Sequence, residues 1–535
     1  MGFFLNSRSC YENFREMVQE TYFVDKSMMI QELIPAIGKR NKYFCITRPR
    51  RFGKTVMANM LGAFFGTAVD SSHLFHGLEI ARTPSYSSHL NRHRVIYIDF
   101  SEIPGNCTGY SQYIERIQCG INRDLAEEYS DFHIRTDGTT WDILTGIFQK
   151  TGDRFLFIID EWDAPFHMTM ITEKDQKSYL LFLKALLKDK AYAELVYMTG
   201  ILPIAKYSDG SELNMFTEYH MASSERFSGY FGFTDYEVSQ LYAIYQQTTE
   251  HIKIRREDLA IWYDGYHTAL GTKLYNPRSV ICALTDNQLR NYWTSSGTYD
   301  SIFGYIKNNI CDIRDDLAIL FAGGSIPADI QEYAAVSMQL STKDEIYSAM
   351  VVYGLLTYEN GAVSIPNKEL KDSYAAMMKK ESSLGYIYQL ANISKKMLAA
   401  TLAGDTETMA EILKSAHDTE SPIFSYNSEI ELAAVVNLVY LSARDQYRIE
   451  REDKAGAGYA DFIFYPEHKE ADALILELKT DKSPEHALAQ IRSKNYALRL
   501  KGKLGEKPKY TGRILGVGIS YDRKTKEHAC IVEEL

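Results

Sequence analysis

Four short, largely apolar runs mark the first two hundred residues: Tyr43–Ile46, Arg94–Phe100, Phe155–Ile159 and Leu195–Thr199. Each is too short and too continuous for an amphipathic helix and reads as a strand buried on both faces. Between them the apolar positions recur every three or four residues. Val56–Phe65 is one such stretch, the Ile114, Ile117, Ile121, Leu125 series is a second, and Ser178–Lys190 is a third. Strands alternating with helices through residues 43–203 predict a doubly wound α/β domain around a parallel sheet. Ahead of it, Tyr22–Ser27 reads as extended chain and Met28–Ile37 as a helix, with Asp25 or Ser27 as its N-cap.

The pattern then changes. Residues 204–395 are dominated by helical spacing, with Trp262, Tyr263, Tyr266, Tyr292 and Trp293 in two aromatic patches that read as core. Tyr353–Tyr358 and Gly361–Pro366 read as a small hairpin of the winged-helix kind, and helices follow from about Lys371 to Leu413. Glu420-Ser421-Pro422 marks a boundary. Beyond it the helical run Leu432–Leu441 precedes two strand-like runs, Ala460–Tyr465 and Ala473–Leu478. The expected division is an ATPase-type domain over 1–235, a helical lid or connecting domain over 236–415 and a third domain over 416–535.

The junction of the first strand and helix carries chemistry. Arg50, Arg51, Phe52, Gly53, Lys54 and Thr55 form a turn between strand and helix. That layout cradles phosphates, because the first backbone N–H groups of the helix and its dipole face the anion. Lys54 is expected on the β and γ phosphates of ATP and Thr55 on Mg²⁺. One position departs from the usual pattern, since Arg48 stands where glycine is asked for. The Phe155 run ends in Asp160-Glu161, at the strand end where open α/β sheets bind ligands. Asp160 is the expected second Mg²⁺ ligand and Glu161 the group that polarises an attacking water. Thr199 ends the fourth run and is read either as a γ-phosphate sensor or as an ordinary strand end.

The last ~115 residues hold a second constellation. Asp461 and Glu477 lie on consecutive strands, and period-2 alternation puts Glu477 and Lys479 on one face. Two carboxylates and a lysine are what metal-assisted phosphodiester hydrolysis uses. Gln490 on the next helix adds an oxygen ligand or water contact, and Glu429 or Glu431 completes the carboxylate set. From Arg492 to Arg513 there are eight Lys or Arg against one acid, a face able to neutralise phosphates.

Composition narrows the picture only slightly. The chain has 535 residues, 45% hydrophobic and 24% charged, which fits several globular domains. Its formal net charge of −11 gives no global signature of nucleic-acid binding, so local patches must carry that case. Seven scattered cysteines without a CxxC pair argue against a zinc ribbon or disulfide framework, and the expected location is the cytoplasm. No uncharged apolar run reaches the ~18 residues of a membrane span, so no membrane role is expected.

Taken together, these motifs resemble the bacterial AAA-ATPase-like proteins that carry a C-terminal PD-(D/E)XK nuclease domain. The resemblance rests on Tyr22-Phe23-Val24-Asp25-Lys26-Ser27, Arg48-Pro49-Arg50-Arg51-Phe52-Gly53-Lys54-Thr55 and Ile159-Asp160-Glu161-Trp162-Asp163-Ala164-Pro165. It extends through Thr199-Gly200-Ile201-Leu202, Phe231-Gly232-Phe233-Thr234, Trp262-Tyr263-Asp264-Gly265-Tyr266 and Tyr275-Asn276-Pro277 to Asp461, Glu477-Leu478-Lys479 and Gln490-Ile491. The family's own loop reads arginine at the position of Arg48. The resemblance implies a P-loop ATPase module followed by a restriction-endonuclease-like α/β module. By implication Lys54, Thr55, Asp160 and Glu161 serve ATP and Mg²⁺, and Asp461, Glu477 and Lys479 serve the nuclease centre. One departure is Gly458-Tyr459-Ala460-Asp461, where the family prefers Gly-Arg-Ala-Asp.

The leading expectation is therefore an ATP-regulated, Mg²⁺-dependent nuclease acting on DNA, in defence or mobile-element biology. The alternative is a nucleotide-dependent interaction switch whose nuclease-like domain binds nucleic acid or a partner without cutting. A small-molecule kinase is a third reading, disfavoured by the C-terminal acids. A homo-oligomer sharing sites between subunits is allowed for, with Arg226 as candidate arginine finger.

Overall fold

The computed structural model describes the chain outside residues 1, 104–106, 133, 135, 205–211, 294–312, 315, 331–341, 381, 418–428, 456–457 and 502–509. It divides into two compact units: Met1–Ser296 with Ala328–Gly361 and Pro366–Glu369, and Gly297–Pro327 with Ala362–Ile365 and Leu370–Leu535.

The first unit is built on a five-stranded sheet of β1 (Tyr43–Thr47), β2 (Arg94–Asp99), β3 (Phe155–Asp160), β4 (Ala193–Gly200) and β5 (Thr217–His220). The strand order is β2-β3-β4-β1-β5 and every adjacent pair is parallel. Alternation along β3 sends Phe155, Phe157 and Ile159 into one core and Leu156 and Ile158 into the other. The first core is closed by Ile114, Ile117, Ile121 and Leu125 of the helix Tyr110–Glu128. The second is closed by Met57, Leu61 and Phe64 of the helix Lys54–Phe65. Burial on both faces is why these strands read as unbroken apolar runs. β5 (TEYH) is a polar, partly exposed edge strand, and no such run announces it.

Local signals explain several boundaries. The helix Glu173–Leu187 starts at a reciprocal Thr172/Asp175 cap, five residues before the apolar spacing suggested. The helix expected over Met28–Ile37 ends at Leu33 and tightens into a 3₁₀ turn at Ile34–Ala36, around Pro35. Its N-cap is Ser27, which makes no side-chain capping bond. Asp25 instead accepts from the Ser27 and Glu79 amides and pins the turn.

The same unit continues into helices Asp235–Thr248, Arg256–Tyr263, Pro277–Asp286 and Lys343–Val352. Tyr245, Tyr263, Tyr275 and Tyr292 pack together among the first three of these helices. Of the aromatics expected in the core, Tyr263, Tyr266, Tyr292 and Trp293 are buried and Trp262 is half-buried. Short strands occur at Thr357–Glu359 and Ala362–Ser364, where the hairpin was expected.

The second unit contains a mixed sheet of β6 (Tyr447–Ala455), β7 (Gly458–Pro466), β8 (Ala473–Thr480), β9 (Ile514–Asp522) and β10 (Glu527–Glu534). The strands lie in sequence order; β8 and β9 are parallel and the other pairs antiparallel. The parallel pair needs a crossover, which the helix Pro484–Ser493 supplies. That helix lies so close to β9 that a Cβ on Gly518 would fall 2.4 Å from the Pro484 carbonyl oxygen. Glu429–Val439 is helical as expected. The boundary read at Glu420–Pro422 lies outside the described residues, as does the 502–509 part of the basic run from Arg492 to Arg513.

Candidate active sites

The turn between β1 and the helix Lys54–Phe65 is held in two left-handed residues, Arg51 (φ 73°) and Gly53 (φ 87°). Gly53 removes the Cβ penalty where the chain swings into the helix. The Lys54 Nζ folds back and donates to the Arg48 and Pro49 carbonyls at 3.2 and 3.1 Å. Arg48 lies beneath the loop, 1% exposed. It donates to the Thr47 and Tyr219 carbonyls at 2.7 and 2.8 Å and stacks 5.0 Å from the Phe231 ring, tying β1 to edge strand β5. Burial lowers its pKa to about 10, and its Nε and one Nη have no hydrogen-bond partner. The position where glycine was asked for is thus a strut. Neighbouring His220 is pushed down to about 4, first by burial and then by Arg48, so it is neutral near pH 7.

Asp160 ends β3 and is fully buried. Its carboxyl is raised to about 7 by burial, then by Glu161 and Asp99, with a Thr55 hydrogen bond and Lys54 acting the other way. Thr55 and Asp160, far apart in sequence, are therefore in contact, and Asp99 is register partner to Asp160. Oxygen ligands of this kind suit a hard divalent cation. Glu161 sits at φ 50°, a strained conformation for a carboxylate residue.

A cavity of about 1210 Å³ opens over the loop. Its lining includes the polar side chains of Arg50, Arg51, Lys54, Thr55, Asp99 and Glu161 and the apolar ones of Phe14, Tyr22, Phe23, Phe233 and Ile281. Arg278, at the first turn of Pro277–Asp286, also lines it and was not anticipated. Burial, then crowding by Arg278 and Arg50, lowers the Arg51 pKa, a repulsion that an anion relieves. Thr199 is fully buried on β4, between β1 and β3, and its hydroxyl donates to the Ile46 carbonyl at 3.0 Å. Arg226 is stacked over Phe44, Tyr219 and Phe227 and donates to the Glu32 carbonyl.

In the second unit the β7–β8 register pairs Phe462 with Leu476. One step outward it sets Asp461 opposite Glu477, on one face of the sheet. The Asp461 Oδ2 accepts from the Leu478 amide at 2.7 Å, and the Lys479 Nζ donates to the Glu477 Oε1 at 2.9 Å. Glu477 is 1% exposed and its Oε2 has no hydrogen-bond partner. Burial first, then Asp461, raises its carboxyl to about 7 against the pull of Lys479. A carboxylate pair of buried Glu477 and half-buried Asp461, with an unmatched oxygen on Glu477, fits a divalent cation, which would satisfy that oxygen and neutralise the repulsion. Among the described residues no group of three or more His, Cys, Asp or Glu is placed to hold a metal ion. The Glu429 side chain lies outside the description, and Glu431 is half-buried on the same helix. Gln490 donates from its Nε2 to the Tyr496 hydroxyl at 3.3 Å. Tyr496 is buried within electrostatic reach of Glu477, Asp461 and Lys479, a neighbour that no spacing rule had signalled.

The fold and these two sites define a P-loop ATPase-like domain joined to a nuclease-fold domain. Residues 9–208 match the predicted AAA-ATPase family, and residues 431–527 match the PD-(D/E)XK nuclease superfamily. A curated relative is the "Uncharacterized protein in vnfD 5'region" of Azotobacter chroococcum mcd 1, 24% identical over 289 residues. That alignment covers 52% of this chain and 51% of the relative, so the chain spans about half the length of the relative it matches. Among solved structures, the Walker-type ATPase PABY2304 of Pyrococcus abyssi aligns at 10% identity and a TM-score of 0.34, covering 65% of this chain and 94% of that one. The Aeropyrum pernix ORC2 protein, in its ADPNP-ADP complexes, aligns at 12% identity and a TM-score of 0.30, covering 69% and 98%. Among the described residues no helix is long and apolar enough to cross a membrane.

Proposed function

We propose that this chain binds and hydrolyses ATP in its first unit and uses the second as a Mg²⁺-dependent nuclease on DNA, with nucleotide state regulating cleavage. The observation that carries the reading is the pairing of buried Glu477 with half-buried Asp461, with Lys479 on the same sheet face, on a chain that also holds Lys54, Thr55 and Glu161 around a cavity.

In the first unit the loop amides and Lys54 bind the β and γ phosphates, and Arg50, Arg51 and Arg278 supply further positive charge. Thr55 and Asp160 hold Mg²⁺, and Glu161 orients the attacking water. In the second, Asp461 and Glu477 hold the metal, with Gln490 and one of Glu429 or Glu431 as further contacts, while Lys479 orients the nucleophile and offsets charge on the scissile phosphate. Mg²⁺ bound there would supply a water of lowered pKa and offset the negative charge on the phosphate oxygens. The chemistry suits DNA in defence or mobile-element biology, in a cytoplasmic setting, acting alone or as a homo-oligomer.

The test is cleavage of supercoiled and linear DNA with Mg²⁺, with and without ATP, by the unmodified chain, Lys54→Ala and Lys479→Ala. Cleavage that needs Lys479 and responds to ATP only when Lys54 is present supports the coupled reading. Nucleotide binding without scission of DNA or RNA rejects it in favour of the interaction switch.

A further inference from the structure

One carboxylate beside the nucleotide cavity has no part in the hydrolysis proposed for it. Asp99 ends β2, and the parallel register sets it next to Asp160 at the end of β3. The pair one step back, Ile98 and Ile159, packs into the core closed by the helix Tyr110–Glu128. Alternation therefore turns Asp99 and Asp160 to the opposite face, the one covered by the helix that begins at Lys54 and Thr55. Thr55 hydrogen-bonds Asp160 there, and Asp99 lines the same cavity as Thr55 and Glu161.

Asp99 is half-buried and fixed in place. Its Oδ1 accepts from the Ser101 amide at 2.8 Å, and it makes no ion pair among the described residues. The Lys54 ammonium is engaged with the Arg48 and Pro49 carbonyls instead. Burial first raises the Asp99 carboxyl; the Ser101 bonds pull it down and Glu161 pushes it up again. Glu161 and Asp99 in turn both raise Asp160. Three carboxylates thus meet at two adjacent strand ends and act on one another.

Such a cluster treats two forms of a nucleotide differently. It repels phosphates that arrive without metal, because like charges oppose each other at this range. It attracts the same phosphates when they carry a divalent cation. Mg²⁺ takes its ligands at about 2.1 Å and keeps several waters, and a hydrogen bond from water to carboxylate adds about 2.7 Å. Adjacent strands lie about 4.8 Å apart. A carboxylate one strand over from Asp160 is therefore placed to hold a water of the cation that Asp160 would ligate.

We infer that Asp99 positions the Mg²⁺ of the nucleotide site through a metal-held water and makes ATP binding conditional on that cation. This rests on the ATP reading above and deepens it: the substrate admitted is the magnesium complex, and metal-free ATP is turned away. The plain alternative is that Asp99 only holds the turn at Ser101. Asparagine keeps an oxygen for the Ser101 amide and loses the charge, so it separates the two roles.

The test titrates ATP on the full chain in Mg²⁺ and in EDTA, for the unmodified protein, Asp99→Asn and Asp99→Ser, with a nucleotide-free melt as folding control. In Asp99→Asn the ratio of ATP affinity in Mg²⁺ to that in EDTA falls by roughly 10-fold or more, the scale of losing a group that orients a metal's own ligands. The affinity in EDTA itself rises several-fold, because a like charge has gone. A residue that only held the turn would move both affinities in the same direction or leave both unchanged. Either of those results in both variants overturns this inference and leaves the ATP reading intact. ATP binding by the unmodified chain that is indifferent to Mg²⁺ overturns this inference together with metal ligation by Thr55 and Asp160. No ATP binding in either condition overturns the ATP reading, and this inference with it.

Discussion

Replacing Glu477 by glutamine should make the second unit more resistant to alkaline destabilisation when divalent metal is absent. Glu477 is 1% exposed, and its carboxyl moves from an ordinary 4.5 to about 7 in the folded chain. Between those pH values the folded state holds a proton that the unfolded state has lost. Stability therefore falls as pH rises from 4.5 to about 7 and is level outside that window. At about 1.36 kcal/mol per pH unit the loss is on the order of 3 kcal/mol. Glutamine keeps an oxygen for Lys479 but does not titrate. Its buried amide adds a constant offset that cancels when two pH values are compared. The measurement is denaturant unfolding of the full chain in EDTA at pH 4 and pH 8, following the transition of the second unit in both proteins. The unmodified chain should lose on the order of 3 kcal/mol more than Glu477→Gln over that interval. Adding Mg²⁺ at pH 8 should restore stability to the unmodified chain only. Equal losses in the two proteins would refute the account of Glu477 as a charge held at a cost until a cation binds.

Other expectations follow from the same geometry. Lys54→Ala should weaken ATP binding by roughly 10- to 150-fold, the equivalent of about 1.5–3 kcal/mol for a charge-assisted contact, as read by nucleotide titration. Gly53→Ala places its Cβ in open space, so the penalty is backbone strain of about 1–2 kcal/mol in the folded state, roughly a 5- to 30-fold fall in the folded/unfolded ratio. Gly200→Ala should be worse and act on stability, because its Cβ would meet the Asp163 carboxylate at 2.3 Å and the Trp162 ring at 2.5 Å; a thermal melt separates the two cases. With Asp160 raised to about 7, Mg²⁺-dependent ATP affinity should climb as pH rises through 7 and flatten above it, and Asp160→Asn should abolish that slope.

The parts of this fold that could be read ahead of the structure are those buried on both sides. β1, β2, β3, β4, β7 and β8 appear as apolar runs because both their faces are packed. β5 and β6 were silent for the opposite reason: TEYH and YRIEREDKA are edge strands of mostly polar sequence, with no continuous apolar run to read. β9 was missed although its residues are mostly buried, because Gly516 and Gly518 interrupt it. Those glycines mark the close approach of the Pro484–Ser493 helix, which only the three-dimensional packing reveals. At the first site, spacing named Lys54, Thr55 and Asp160, and the fold brings the three near one another. Arg278 and Asp99 reach the same cavity from distant elements, so no local motif could join them to the loop. At the second, alternation placed Glu477 beside Lys479, but the facing of Asp461 and Glu477 depends on strand register.

The folded-back Lys54 has a consequence for how a ligand is admitted. With its ammonium on the Arg48 and Pro49 carbonyls, the lysine is already stripped of most of its water. An arriving polyphosphate therefore does not have to dehydrate a cation; it exchanges one pair of oxygen acceptors for another. The exchange favours whichever anion offers more negative charge than two peptide carbonyls, and a neutral sugar or base alone has nothing to trade. On the proposed reading, releasing Lys54 would also free the two carbonyls at the base of the turn, and the lysine would return to them when the ligand leaves.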